Sequence, residues 1–178
     1  MLLLVGCTTT APKENQSPTL FVDDFMMTLK DNQMTPSNRF FLDDAYNDPI
    51  DFENEAFMLL ILPLLTDFDY EILDVNETET QATISIRFIT YNFYGFLNEL
   101  SPLFDELIQT AIDEGMSEEI FEIEVISIVE AQIQSIRKDL SSSAKMNLVK
   151  KDGSWFIHYD DDYIDLFLIL TGHLFLEN

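Results

Sequence analysis

The residues of this chain best suited to chemistry stand near its start. Leu4-Val5-Gly6-Cys7 is an aliphatic residue, two small or modest residues and then a cysteine. That order is a lipobox: the thiol takes a diacylglyceryl thioether and the chain is cut just before it. Cys7 is the expected lipidation site, and Leu4, Val5 and Gly6 are the residues a signal peptidase would recognise. Leu2 to Val5 form an apolar run leading to a small residue, as an h-region does ahead of its cleavage point. Thr8 to Pro18 is polar and aperiodic, as a tether is. Cys7 is the single cysteine, so no internal disulfide can form. A signal peptide also carries a basic n-region and roughly 7–15 apolar residues. Here the first basic residue is Lys13 and the apolar run is short, so the leader is expected to begin upstream of Met1.

The other reactive side chains are sparse. His158 follows Phe156 and precedes Asp160, and an imidazole beside a carboxylate can exchange protons near neutral pH. The plainer reading is a strand histidine at a sheet surface, and it is preferred. His173, past Gly172, is expected to be a terminal residue without a role. Asp43, Asp44, Asn47, Asp48 and Asp51 supply oxygen ligands but lack the central glycine and fixed spacing of a calcium loop. They read as a solvated acidic loop, and no metal site is expected. The sequence holds no Gly-x-Ser-x-Gly, no phosphate-binding loop and no Gly-x-Gly-x-x-Gly. With one cysteine and two histidines it has no zinc-ligand spacing. No catalytic residues and no cofactor are expected.

Charge narrows the partners. Asp and Glu number 33 against 9 Lys and Arg, for a net charge of −24. Nucleic-acid binding needs the opposite sign, because affinity comes largely from neutralised phosphates. Close contact with anionic headgroups is disfavoured for the same reason. The expectation is a globule held off the membrane by its tether, of which about 11 residues span at most ~35–40 Å. Two acyl chains on Cys7 would make the anchor stable where one would be marginal. The place implied is the extracytoplasmic face of a bacterial cell membrane. Much of the acidity serves solubility.

Length and hydropathy set the elements that position these groups. The 178 residues, 47% hydrophobic with 15 Phe, suffice for one well-filled core. No apolar run reaches the ~18–20 residues of a membrane span. The expected divisions are leader and lipobox at 1–7, tether at 8–17, and one domain at 18–178. Ser17-Pro18 opens a helix over 18–31, with Phe21, Val22, Phe25, Met26 and Leu29 on one face. A loop with a short helical turn follows. Within 51–66, Ala56 to Leu65 is apolar nearly all round and reads as a buried helix that Pro63 stops or kinks. Phe68 to Val75 alternates as a strand. Thr80 to Tyr91 follows as a second, with Ala82, Ile84, Ile86 and Phe88 on one face and a parity slip after Phe88.

Two helices come next. Phe93, Phe96, Leu97, Leu100, Leu103, Phe104, Leu107, Ile108, Ala111 and Ile112 recur at helical spacing up to Gly115, with Ser101-Pro102 as a break or re-cap. Ser117 caps the second, which the spacing carries to Leu140, with Arg137 and Lys138 in its last turn. Ser141 to Ser143 reads as a loop. Ala144 to Lys151, Asp152-Gly153, and Ser154 to Tyr159 form a β-hairpin with a type I′ turn. Its register sets Lys151 opposite Ser154, Lys150 opposite Trp155, Leu148 opposite Ile157 and Met146 opposite Tyr159. Lys150 can stack on Trp155. The aspartates at 160–162 cap a final apolar helix that Gly172 closes.

Phe68-Asp69-Tyr70-Glu71-Ile72 leading into Ala82-Thr83-Ile84-Ser85-Ile86, and Leu148 to Ile157 with its Asp-Gly turn and Trp155, resemble bacterial lipoprotein domains of the cystatin-like, nuclear-transport-factor-2-like superfamily. The resemblance implies an α+β fold with a curved antiparallel sheet of about four strands, here with two helices inserted between the strand pairs. Within that superfamily the sheet and helices make a cone whose mouth can hold a ligand, and His158, Tyr70 and Trp155 are the cavity candidates. The expected function is a lipid-anchored protein that binds a partner or small ligand. The alternative is an enzyme of ketosteroid-isomerase or dehydratase type, using a cavity carboxylate or His158.

Overall fold

A computed structural model describes residues 16–31, 34, 38–42 and 55–171, with nothing stated of the side chains of 55–59. The lipobox, most of the tether, the acidic loop around Asp43 to Asp51, Gly172 and His173 lie outside the described residues. Among the described residues five α-helices and four strands follow one another as α1 (Pro18–Asp31), α2 (Glu55–Thr66), β1 (Asp69–Glu77), β2 (Gln81–Thr90), α3 (Phe93–Glu114), α4 (Glu118–Ile133), β3 (Leu140–Lys151), β4 (Ser154–Ile157) and α5 (Asp161–Leu170). A 3-10 turn, Asn38–Phe40, follows α1. The class is α+β, and two helices stand between the strand pairs, as expected. No helix among the described residues is long and apolar enough to cross a membrane.

The strands form one antiparallel sheet in the order β1-β2-β3-β4. Its inner face follows from strict alternation on β2, where Ala82, Ile84, Ile86, Phe88 and Thr90 are buried. The register sets Met146 opposite Ile84 and Leu148 opposite both Ala82 and Ile157, so the same face continues across β3 and β4. The parity slip after Phe88 does not occur: Ile89 is exposed, Thr90 is buried and the strand ends there. The irregularity falls on β1 instead, between Ile72 and Asp74, and leaves Leu73 exposed.

Aromatic side chains fill the space over the inner face. Trp155, Phe21, Phe25, Phe40, Phe68, Phe88 and Phe93 are among the largest fully buried groups. Phe40 packs edge-on against Phe21 and Phe25, with ring centroids 5.6 and 5.2 Å apart. The row Phe21, Val22, Phe25, Met26 and Leu29 on α1 is buried as its spacing requires.

Local signals explain most of the boundaries. Asn92 caps α3 by accepting from the Gly95 amide at 2.9 Å. Gly115 ends that helix in the left-handed region with φ 67°. Ser117 caps α4, accepting from the Ile120 amide. Asp152 and Gly153 both have positive φ, 52° and 82°, as a type I′ turn needs. The predicted pairs Lys151 with Ser154, Lys150 with Trp155 and Leu148 with Ile157 are present.

Several expectations are corrected. Pro63 and Pro102 lie inside α2 and α3, which run through them. The helix expected to reach Leu140 stops at Ile133, so Arg137 and Lys138 are not in its last turn. Ser141, Ser142 and Ser143 are not a loop but the start of β3, paired with Ile89, Phe88 and Arg87. β4 ends at Ile157, so Tyr159 does not pair with Met146; its ring lies 5.3 Å from that of Tyr163.

Candidate functional site

The densest polar network of the described residues lies on the outer face of the sheet, where β2, β3 and the start of α5 meet. Strand alternation points Thr83 and Asn147 away from the core, and the register sets them opposite one another. The Thr83 hydroxyl donates to Asn147 Oδ1 at 2.9 Å. Asn147 Nδ2 donates to Asp160 Oδ2 at 2.9 Å and to Asp162 Oδ2 at 2.8 Å. Beyond the end of β4, the His158 amide still donates to the Asn147 carbonyl at 2.8 Å. That bond holds the imidazole beside Asp160, with Nδ1 3.0 Å from Oδ2. The other Asp160 oxygen caps α5 by accepting from the Tyr163 amide at 3.0 Å.

Opposing effects act on the Asp160 carboxyl. Partial burial pushes its pKa up. Hydrogen bonds from Asn147, His158 and the Tyr163 amide outweigh that and hold it below its ordinary value. It stays ionised at neutral pH and accepts from three elements at once. A hollow of about 250 Å³ opens here, lined by Thr83, Asn147, Val149 and His158 among others. A second, of about 530 Å³, lies between β2, β3 and α5, with Ser85, Ser143, Lys145, Asp162, Asp165 and Ile169 in its wall. These groups can donate and accept hydrogen bonds with a polar ligand. His158 and Asp160 form an oriented imidazole–carboxylate pair, but the side chain of His158 is 58% exposed. Among the described residues no cluster of His, Cys, Asp and Glu is arranged to hold a metal ion.

The three cavity candidates do not converge. Tyr70 is on β1 at one edge of the sheet, and its hydroxyl donates to Asp23 of α1 at 2.8 Å. Burial, and then that bond, pushes its pKa up to about 12. Trp155 is on β4 at the other edge, 1% exposed within the core. Its indole N–H donates to the Gln16 carbonyl at 3.0 Å, and Lys150 Nζ stands 4.9 Å from its ring centroid, as the hairpin register predicts. His158 lies across the sheet from both, on the outer side. Cys7 and the residues Leu4, Val5 and Gly6 fall outside the described residues.

A second polar cluster has no local signature in the sequence. Lys138 Nζ lies 2.7 Å from Asp67 Oδ1 and 3.0 Å from Asp69 Oδ2. The Tyr91 hydroxyl donates to Asp67 Oδ2 at 2.9 Å. The hydrogen bond from Lys138 is the main cause holding the Asp67 carboxyl below its usual value. Burial pulls the Lys138 ammonium down, but Asp67 and Asp69 together outweigh it and raise its pKa. This cluster ties the linker after α4 to the start of β1, and its partners lie 71 residues apart.

No protein-family model and no curated protein matches this chain. Among solved structures it is similar to the crystal structure of YcdA from Bacillus subtilis, a protein inferred to be a lipoprotein. The TM-score is 0.44 and the identity 12%; the match covers 86% of this chain and 47% of that one. This chain therefore spans about half the length of that protein.

Proposed function

We propose that this protein is a lipid-anchored, extracytoplasmic binding domain, tethered through a diacylglyceryl thioether on Cys7 and acting through its surface. Support for the anchor is Leu4-Val5-Gly6-Cys7 followed by a polar stretch that ends where α1 begins. One observation carries the surface reading: aromatic side chains occupy the space over the sheet's inner face, while the hollows lie outside it, two on the outer face of β2 and β3 and one of about 360 Å³ between the start of α3 and the linker after α4. A helix laid on a four-stranded antiparallel meander is what speaks for the cystatin-like resemblance.

The isomerase-type alternative has less behind it. That chemistry asks for an apolar pocket and a carboxylate whose pKa is raised. Asp160, the carboxylate beside His158, is shifted the other way. Tyr70 and Trp155 are engaged with Asp23 and Gln16.

The anchor is tested by detergent phase partition of the full-length protein from a bacterial host. The natural chain should enter the detergent phase, and Cys7→Ala should stay in the aqueous phase. Both chains in the aqueous phase would refute the anchor.

A further inference from the structure

The hairpin made by α3 and α4 combines two features with no bearing on the fold's own packing. The first is a row of exposed apolar side chains. Tyr94, Leu97, Ser101, Asp105, Ile108 and Ile112 follow one another at steps of three and four, so they share one stripe along α3. Of these, Tyr94 is 71% exposed, Ile112 70% and Ile108 47%. The core side of the same helix is a different set: Phe93, Phe96, Leu100 and Leu107. On α4 only Val129 is buried, and Ile120 and Ile123 are more than half exposed. Half of the exposed large apolar residues among the described residues are on these two helices. Exposed apolar side chains gathered in one region mark an interaction surface.

The second feature is charge. α3 and α4 carry five acidic residues each, and no Lys or Arg occurs between Arg87 and Arg137. All ten carboxylates are exposed. Among the described residues, Lys138 pairs with Asp67 and Asp69, Arg87 with Glu71, and Arg39 with Asp24, all away from the hairpin's own carboxylates. The field around the hairpin is therefore mainly negative, with Arg137, beside Asn92, Gly95 and Glu99 at the start of α3, as a cation near one end.

From this pairing we infer that the α3–α4 hairpin is a docking surface for a cationic amphipathic helix of a partner protein. Such a helix would lay its apolar seam along Tyr94, Leu97, Ile108 and Ile112 and hold its lysines and arginines in the field of Asp105 within the stripe and of the hairpin's other carboxylates. A second copy of this chain brings the same negative face to the same place and is repelled. An anionic bilayer is repelled likewise. The inference rests on the reading of this protein as a surface-acting binding domain and names the partner's chemistry.

The test uses the full chain with Cys7→Ser, so its result does not depend on lipidation. Two labelled 18-residue helical peptides share a leucine seam, and one is flanked by lysine, the other by glutamate. Fluorescence anisotropy should show the lysine peptide bound and the glutamate peptide unbound, with binding weakened by added salt. Ile108→Ser with Ile112→Ser leaves every charge in place and should weaken binding roughly tenfold or more. Ile164→Ser, an exposed position on α5, should leave it unchanged. Circular dichroism of each variant checks that the fold is kept, and Ile112→Lys provides a second disruption of the stripe. Equal binding by natural chain and stripe variants would reduce the effect to bulk charge and overturn the proposal. So would binding of both peptides alike, or of neither. Sedimentation that found a dimer dissolved by Ile112→Lys, or vesicle binding lost on the same change, would assign the face to another occupant and overturn it too.

Discussion

The indole of Trp155 donates to the main-chain carbonyl of Gln16 across 139 residues of sequence. It fastens the point where the chain enters the domain against the last strand of the sheet. Gln16 thus lies beside the β3–β4 hairpin, whose Lys150 stands over the Trp155 ring. The bond also gives the fold a long-range closure, since α1 begins two residues later at Pro18.

Replacing Trp155 with Phe removes that donor and part of a fully buried ring. The change should lower stability by about 1–3 kcal/mol. Urea unfolding followed by far-ultraviolet circular dichroism reads it as an earlier midpoint with the same slope. An unchanged midpoint would mean that the contact holds nothing together. Trp155 is the single tryptophan, so in the natural chain its emission should be blue-shifted when folded and move to the red in the same transition.

Asp160 joins three functions on one carboxylate: the cap of α5, the anchor of Asn147 and the partner of His158. Asp160→Ala should cost about 1–2 kcal/mol, chiefly through the lost cap. Asp160→Asn keeps an acceptor and should cost less. Because the folded carboxyl titrates below its unfolded value, its contribution is present above the unfolded pKa and is lost as pH falls through the folded one. Acid unfolding of the alanine variant should therefore lack part of the steepness seen in the natural chain. Identical acid limbs would contradict this assignment.

Tyr70 predicts behaviour at the other end of the scale. Its hydroxyl holds its proton up to about 12 in the folded chain. A group whose folded pKa is raised contributes stability below its unfolded pKa and loses that contribution as pH rises through the folded value. Stability should fall between about pH 10 and 12, and Tyr70→Phe should flatten that fall. Tyr91, bonded to Asp67, is also shifted up, so ultraviolet titration at 295 nm should show a late step that loses one tyrosine's share in the variant. A variant with an unaltered alkaline limb would contradict the burial of the hydroxyl against Asp23.

Gly153 supplies the positive φ of 82° at the second turn position of the hairpin. Gly153→Ala should destabilise by about 1 kcal/mol, because an L side chain is strained there. A thermal melt gives the magnitude. A stabilised alanine variant would contradict the type I′ turn.

Much of this architecture could be read along the chain where local chemistry and tertiary structure agree. The buried row of α1, the caps at Ser117 and Asp160, Gly115, and the Asp152-Gly153 turn each satisfy a backbone need on the spot. The misreadings share another cause. Ser141 to Ser143 show no alternation of apolar and polar residues, and only pairing with β2 makes them a strand. Ile136 and Leu140 continue the helical spacing of α4, yet the chain leaves the helix at Ile133, and the Asn92 amide donates to the Arg137 carbonyl at 3.2 Å. Lys138 then reaches Asp67 and Asp69 rather than the helix end. Pro63 and Pro102 are tolerated inside helices against their propensity. For the site, the His158–Asp160 pair is two residues apart and visible in the sequence. Its link to Asn147 and Thr83 depends on strand register, and the α3 stripe stood within a helix whose apolar residues all looked like core.

The central claim, attachment through one sulfur, is met most directly by the intact mass of the protein recovered from its own membranes. The account predicts a chain that begins at Cys7 and carries the added mass of a diacylglyceryl group on that residue. A chain with an unmodified Cys7 thiol, recovered from the soluble fraction of the cell, would contradict it.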